Sequence, residues 1–252
     1  MVGHLPKVTN TINVWGLKLN PIRIDDFIKI IESRIINNST PIHITGVNPE
    51  TVVHASTNQF LKKAVNDSDL VNIDNNFIVS MLWISGYRVP CRVATPDLFE
   101  SLLGLSNKNH FKIFILGSKQ NILEKAIENI RINYPDIEIN GHHGYFKPDE
   151  EKPIIKRIKE FSPDMFFIAM PSPYKESFIL ENKTEINAKV YLGVGGAIDV
   201  KGDLVKRAPQ FLRKAGLEGF CRIIQNPFNY GTRVLKYYPK FLKIVIKSKK
   251  WK

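Results

Sequence analysis

Six short apolar runs recur along the chain: Ile42–Thr45, Leu70–Ile73, Phe111–Leu116, Ile137–Ile139, Met165–Met170 and Val190–Val194. Several are β-branched and have Gly or Pro close by, so they read as strands. Between and before them lie helical patterns over Ile24–Ile36, Glu50–Val65, Asn75–Ile84, Pro96–Leu103, Gln120–Ile132, Asp149–Phe161 and Tyr174–Glu181. Strands that alternate with helices pair in parallel, with the helices covering the sheet faces. The expected fold is therefore α/β, a Rossmann-like, mainly parallel sheet flanked by helices. The early segment Thr11–Leu19 reads as an edge strand or a hairpin.

The 252 residues are 43% hydrophobic and 24% charged, enough apolar material for one large domain or a domain with an appendage. A disordered chain is excluded. No run reaches the roughly 18 apolar residues that span a bilayer, and the first twenty residues lack a signal peptide's apolar core. The expectation is an intracellular protein without a membrane span. Cys91 and Cys221 are far apart and form no CxxC pair, which argues against a disulfide framework or a structural zinc site.

The net charge of +12 is unevenly placed. Fourteen of the 36 Lys and Arg, but only two of the 24 Asp and Glu, lie from Lys201 onward, which leaves residues 1–200 balanced at 22 of each. We therefore divide the chain into an α/β core, residues 1–200, and a basic C-terminal helical appendage, residues 201–252. Such an appendage is suited to an anionic partner: a phospholipid surface, a lipid diphosphate or nucleic acid. Beyond Pro239, which is expected to open the last helix, Phe241, Leu242, Val245 and Ile246 share one face. Lys236, Lys240, Lys243 and Lys247 form a flanking stripe, the pattern of an interfacial helix. The same pattern also fits a terminal helix docked on its own domain with solvated lysines. No helix-turn-helix, RNP or zinc-finger pattern accompanies the lysines, so nucleic acid is not the expected partner.

In a sheet of this kind ligands bind at the carboxyl ends of the strands. Four polar segments follow strands. Thr45-Gly46-Val47-Asn48-Pro49 offers a hydroxyl and an amide to a sugar or phosphate, or simply caps the next helix. Asp74, in Asn72-Ile73-Asp74-Asn75-Asn76, is either a helix N-cap or a general base facing a cleft. Pro171-Ser172-Pro173-Tyr174-Lys175-Glu176 stiffens a turn before a helix whose first N–H groups suit a diphosphate, with Lys175 adding charge. Gly193-Val194-Gly195-Gly196-Ala197-Ile198-Asp199 allows close backbone approach, and Asp199 can accept hydrogen bonds from uracil or ribose. It is neither a Walker loop nor a dinucleotide fingerprint. Asp67-Ser68-Asp69 resembles a DxD metal motif but falls where both acids can be solvated. His142 and His143 are adjacent, so their rings are expected to diverge, and no third metal ligand is evident nearby.

Taken together, these segments resemble the WecG/TagA/CpsF family of bacterial glycosyltransferases, glycosyltransferase family 26. The likeness runs from about Thr45 to Arg233. It includes Thr45-x-x-Asn48, Asp74, Phe114-Ile-Leu-Gly117, Tyr134-Pro135, Gly141-x-x-Gly144-Tyr145-Phe146 and Pro171-x-Pro173-x-Lys175-Glu176. It continues with Gly193-Val-Gly-Gly196-Ala-Ile-Asp199, Arg207-Ala208-Pro209, Gly216-Leu217-Glu218, Arg222 and Pro227.

The resemblance implies an inverting enzyme that moves a sugar, often N-acetylmannosamine or its uronic acid, from a UDP donor to a polyprenyl-diphosphate-linked saccharide. It implies work on the cytoplasmic membrane face, in teichoic acid, common-antigen or exopolysaccharide synthesis. Carried over by position, Asp74 is the base, with Thr45 and Asn48 in the sugar site and Gly117, Gly195 and Gly196 in nucleotide-binding turns. Tyr145 and Asp199 are uridine contacts, and Pro171, Lys175 and Glu176 belong to the donor loop. Arg207, Arg213, Arg222 and Arg233 would neutralise a leaving or acceptor diphosphate. No cofactor is implied, and a metal is dispensable where arginines and helix dipoles carry the charge. Association into a homo-oligomer is compatible with the sequence. Three positions depart from the family pattern: Asn75 for Gly, Lys175 for Gln and Gly219 for Trp. The first two leave a hexose other than N-acetylmannosamine open as the donor sugar.

Overall fold

The computed structural model describes residues 10–37, 40–214, 218–225 and 227–248. It opens with an antiparallel hairpin, β1 (Ile12–Val14) and β2 (Leu17–Leu19), turned by Trp15 and Gly16 at positive φ. The segment read as edge strand or hairpin is thus a hairpin. Helix α1 (Ile24–Ile36) leads into six strands, β3 (Ile42–Val47), β4 (Leu70–Ile73), β5 (Ile113–Gly117), β6 (Ile139–His142), β7 (Met165–Ala169) and β8 (Val190–Gly193). All six pair in parallel in the order β4-β3-β8-β7-β5-β6, as the alternating pattern required. The connections carry α2 (Pro49–Thr57), α3 (Gln59–Asn66), α4 (Asn76–Ile84), α5 (Thr95–Asn109), α6 (Gln120–Asn133), α7 (Glu151–Phe161) and α8 (Tyr174–Ile186). After β8 come α9 (Ala197–Lys201), α10 (Gln210–Lys214), α11 (Glu218–Gln225), a π-helical turn at Pro227–Gly231 and α12 (Thr232–Ser248).

Strand alternation sorts the core. Ile113, Ile115 and Phe167 face α1, α5 and α6, while Phe114, Leu116 and Phe166 face α7 and α8. A third cluster, around Val47, Val71 and Ile73, joins the hairpin, α2 to α4 and α12 through Phe241 and Val245. The border strand β4 is closed at Val71 by one residue: Asn20 backbone N–H donates to the Val71 carbonyl at 2.9 Å, and Val71 N–H donates to Asn20 Oδ1 at 2.7 Å. This supplies both bonds that another strand would make there.

Three sequence expectations need correction. The helix expected over Glu50–Val65 is two, because Asn58 adopts an extended backbone and its Oδ1 accepts from Leu61 N–H, starting α3 afresh. The strand expected over Ile137–Ile139 begins only at Ile139, since Ile137 N–H is spent on the Tyr134 carbonyl in a turn. Pro239 does not open the last helix. It lies inside α12, which starts at Thr232 and is held from both sides of the proline by buried Tyr237, Phe241 and Val245. Pro239 and Leu235, whose carbonyl loses its helical donor, are both exposed, so water can satisfy that oxygen.

Candidate active site

A cavity of about 590 Å³ opens at the carboxyl ends of β3, β8, β7 and β5, four consecutive strands of the sheet. A smaller chamber of about 160 Å³ adjoins it beneath α11 and α12. Asn48, Glu50, Asp74, Pro96, Tyr230 and Arg233 line both spaces, so they form the wall between the two.

Asp74 follows β4 directly, and its N–H donates to the Val47 carbonyl at 3.0 Å. The N-cap of α4 is the next residue, Asn75, whose Oδ1 accepts from Phe77 N–H at 2.7 Å. The carboxylate of Asp74 is therefore not used to cap its own helix. Its Oδ1 instead accepts from Thr95 N–H at the amino terminus of α5, a donor that favours the ionised carboxylate. Asn75 Nδ2 donates to Tyr238 Oη at 3.2 Å, and the Tyr238 ring stacks on Phe77 at 4.8 Å, which seats α12 against the Asp74 loop. Burial raises Tyr238 above the usual phenol range, and the Asp74 charge pushes the same way.

The floor of the larger cavity is the end of β3. Asn48 caps α2 by accepting from Thr51 N–H at 3.0 Å, and it also lines both spaces, so the capping and site roles coexist. Buried Thr45 has its Oγ1 2.8 Å from Ser68 Oγ, while Ser68 Oγ donates to the Ala64 carbonyl at 2.9 Å. Ser68 has one proton and spends it on that carbonyl, so Thr45 donates to Ser68 and can offer a lone pair to a ligand. His43 lies beneath, 3.4 Å from Thr45 Oγ1. Burial lowers its pKa to about 4, against the pull of Glu176 and Asp69 in the other direction.

The turn after β7 places a compact ionic group on the opposite wall. Lys175 Nζ donates to Ser172 Oγ at 2.6 Å and lies 3.2 Å from Glu176 Oε1, which itself accepts from Ser172 Oγ at 2.8 Å. Glu176 is 1% exposed, and its Oε2 has no hydrogen-bond partner among the described residues. The Lys175 methylenes cross Gly193, where a Cβ would stand 2.8 Å from Lys175 Cε. Gly117 carries φ 132°, and a Cβ there would meet the Ala169 carbonyl oxygen at 2.4 Å. The next residue, Ser118, reaches Asp199 Oδ1 at 3.4 Å. Gly195, Gly196 and exposed Tyr145 complete the rim with Pro171.

Of the arginines, Arg233 lines both spaces and is ion-paired with Glu50, its Nε donating at 2.9 Å. Arg207 and Arg213 instead converge on Asp97 in the first turn of α5, Arg213 at 3.1 Å, and neither is among the described residues lining the two spaces. The Arg222 side chain, Gly216 and Leu217 lie outside the described residues. Lys63 pairs with Asp67, and Asp69 Oδ2 accepts from His43 N–H at 2.9 Å, so both acids of the DxD-like segment are engaged. The rings of His142 and His143 do not diverge but lie 4.4 Å apart, because His142 Nδ1 bonds the His143 carbonyl and folds one ring over the other.

Sequence reasoning overlooked His43, Glu50, Arg92, Thr95, Ser118, Lys119 and Tyr230 and gave Glu218 no role beyond the family resemblance; all of them line one space or the other. Position after a strand was a usable signal for Ser118 and Lys119, and Glu50 follows the Asn-Pro cap. Arg92 and Glu218 find each other only in three dimensions, at 2.7 Å with both side chains largely buried.

A polar cleft at the carboxyl ends of a doubly covered parallel sheet, walled by glycine turns and a pinned carboxylate, defines a ligand-binding site of the doubly wound α/β class. Residues 12–252 match the model of the glycosyl transferase WecG/TagA/CpsF family, and the chain belongs to that family. It is a glycosyltransferase. Among its relatives is an N-acetylglucosaminyldiphosphoundecaprenol N-acetyl-beta-D-mannosaminyltransferase of Bacillus subtilis (strain 168), 32% identical and aligned over 89% of this chain and 86% of the relative. An enzyme of the same name from Staphylococcus aureus (strain MW2) is 28% identical over 96% of this chain and 94% of its own.

Proposed function

We propose that the protein is an inverting transferase that moves an N-acetylmannosamine-type or other hexose from a UDP-sugar to a polyprenyl-diphosphate-linked saccharide, in cell-surface polysaccharide or teichoic acid synthesis. The observation that carries the reading is the place of Asp74, a carboxylate on the wall shared by a large polar cavity and a smaller chamber. The donor occupies the large cavity, which offers a Thr45 lone pair, the glycine turns, Lys119 and Lys175. The acceptor sugar enters the chamber under α12. Asp74 takes the proton of the acceptor hydroxyl as its oxygen bonds the anomeric carbon, and the C–O bond to UDP breaks on the opposite face. No covalent intermediate is needed. Arg233, with the backbone N–H groups of the rim, offsets the charge that develops on the departing diphosphate.

The named relatives support the acceptor class, since both names specify a diphosphoundecaprenol-linked N-acetylglucosamine. The basic stripe on α12 supports work against an anionic membrane surface on the cytoplasmic side, and no helix among the described residues is long and apolar enough to cross a membrane. In this reading the reaction requires no metal. A screen for UDP release across UDP-hexoses, with polyprenyl-diphosphate-N-acetylglucosamine as acceptor and with or without a chelator, tests these assignments. Asp74→Asn should cut transfer by about 10²- to 10⁴-fold while leaving UDP affinity unchanged. Transfer at the wild-type rate in that variant would remove Asp74 from the role of base.

A further inference from the structure

Residues 90–94, the last part of the connection from α4 to α5, carry no regular structure, yet they and the following Thr95 run beside the end of β4 and Asp74 and are bonded there at successive points. Val93 N–H donates to the Ile73 carbonyl at 2.8 Å. Asn72 Nδ2 donates to the Val93 carbonyl at 2.7 Å and to Thr95 Oγ1 at 3.3 Å. Thr95 N–H then closes on the Asp74 carboxylate. A carbonyl can only accept, so the amide nitrogen of Asn72, not its oxygen, must face Val93. Asn72 is fully buried, and its Oδ1 has no hydrogen-bond partner among the described residues. A buried amide that leaves its acceptor unsatisfied is costly to keep if its only task is packing. The third side of the contact is Gly46 on β3, where a Cβ would stand 2.5 Å from Thr95 Oγ1 and 3.4 Å from both polar atoms of Asn72. Any larger residue there would push Thr95 off its place.

We propose that Asn72 is a positioning residue for transfer: through Val93 and Thr95 it fixes the amino terminus of α5 on the Asp74 carboxylate, holding that group ionised and aimed. The proposal rests on the reading of Asp74 as base. Asn72 acts two bonds away from the acceptor and lines neither space, so its effect falls on the base and not on binding.

The sign follows from the bond. Thr95 N–H stabilises the charged carboxylate, so loosening it raises the proton affinity of Asp74 and moves the acid limb of kcat to higher pH. Glu50, His54, Arg92, Glu218, Arg233 and Tyr238, from α2, the 90–94 segment, α11 and α12, also face this wall. All are retained in the variants, so the difference between proteins isolates the Asn72 contact.

The test compares full-length wild type with Asn72→Ala and with Thr95→Val, which keeps the shape and the backbone N–H while removing the oxygen that Asn72 holds. Carbon-13 carboxyl NMR titration, with Asp74 assigned by the signal lost in Asp74→Asn, is run beside pH profiles of kcat and calorimetric UDP binding. The expected result is an upward shift of the Asp74 titration and of the acid limb by about one pH unit in Asn72→Ala, with a smaller shift in Thr95→Val; Asn72 lines neither space, so UDP affinity should be unchanged in Asn72→Ala. An Asp74 titration identical in all three proteins would overturn the proposal, even if all three transfer sugar. A shifted titration in a chain that transfers no sugar would uphold the positioning and sink the reading of the reaction instead. Should Asn72→Ala fail to fold, Thr95→Val alone decides by the same criterion.

Discussion

Lowering the pH from 7 to 4 should cost this fold about 3 kcal/mol through one side chain, His43. The residue is 7% exposed at the cavity floor, and its burial holds the pKa at about 4 against an ordinary 6.5. Glu176 and Asp69 favour protonation, Lys183 and Lys175 oppose it, and desolvation outweighs all four. An unfolded chain binds a proton at this position below pH 6.5, whereas the folded chain declines it until about pH 4. The contribution is therefore nearly complete above pH 6.5, is lost progressively as the pH falls towards 4, and levels off about one unit below that. At about 1.36 kcal/mol per unit, the separation of the two values gives the figure stated. Urea unfolding of wild type and His43→Gln at half-unit steps from pH 7.5 to 4 reads it directly. The wild-type curve should fall relative to that of the variant by about 3 kcal/mol. Parallel curves would refute the reasoning, because they would mean that His43 binds its proton equally well in both states.

Gly117→Ala should destabilise the fold by more than about 2 kcal/mol, since the methyl group meets the Ala169 carbonyl at 2.4 Å and φ is 132°. A melting temperature within about 2 °C of wild type would contradict this. Glu218→Gln strands the largely buried Arg92 and deprives Arg207 of a neighbouring charge, with an expected loss of about 3 kcal/mol in chemical denaturation. The double replacement Arg92→Met with Glu218→Met should recover most of that loss, and its failure to do so would show that the pair contributes more than mutual neutralisation. Replacing Lys236, Lys240, Lys243 and Lys247 by Glu should abolish sedimentation with anionic liposomes, at about 1 kcal/mol per lysine. Unchanged sedimentation would remove the stripe from membrane contact.

The sheet was legible because its strands are buried on both faces, and such strands must be continuous apolar runs whatever their function. Their order was not, since nothing local distinguishes β8 from β6 as a central strand. The limits of elements were lost where a side chain outcompeted periodicity, as Asn58 does by capping α3 inside what looks like one helix. Pro239 misled because a proline's cost depends on whether the carbonyl it orphans reaches water, which is a property of packing on α2 and not of the tetrapeptide. At the site, Asp74, Thr45, Asn48 and the glycine turns were readable from their places at or just after the carboxyl ends of strands. Arg207 and Arg213 were not, because a guanidinium written in a basic tail gives no sign of which carboxylate will claim it, here Asp97. Asn72 and His43 were invisible for a related reason: each sits within a strand as an apparent interruption, and its value lies in what crosses over it.

The closure of β4 by Asn20 bears on traffic through the molecule. Asn20 completes the sheet border at Val71 and residues 90–94 take it over at Ile73, so the space beside Asp74 is the smaller chamber beneath α11 and α12, while the large cavity lies over the middle of the sheet. In the proposed reaction the two substrates therefore need not share a doorway. A soluble nucleotide can drop in from above, and an alcohol tethered to a long hydrocarbon can slide in sideways without leaving its anchorage.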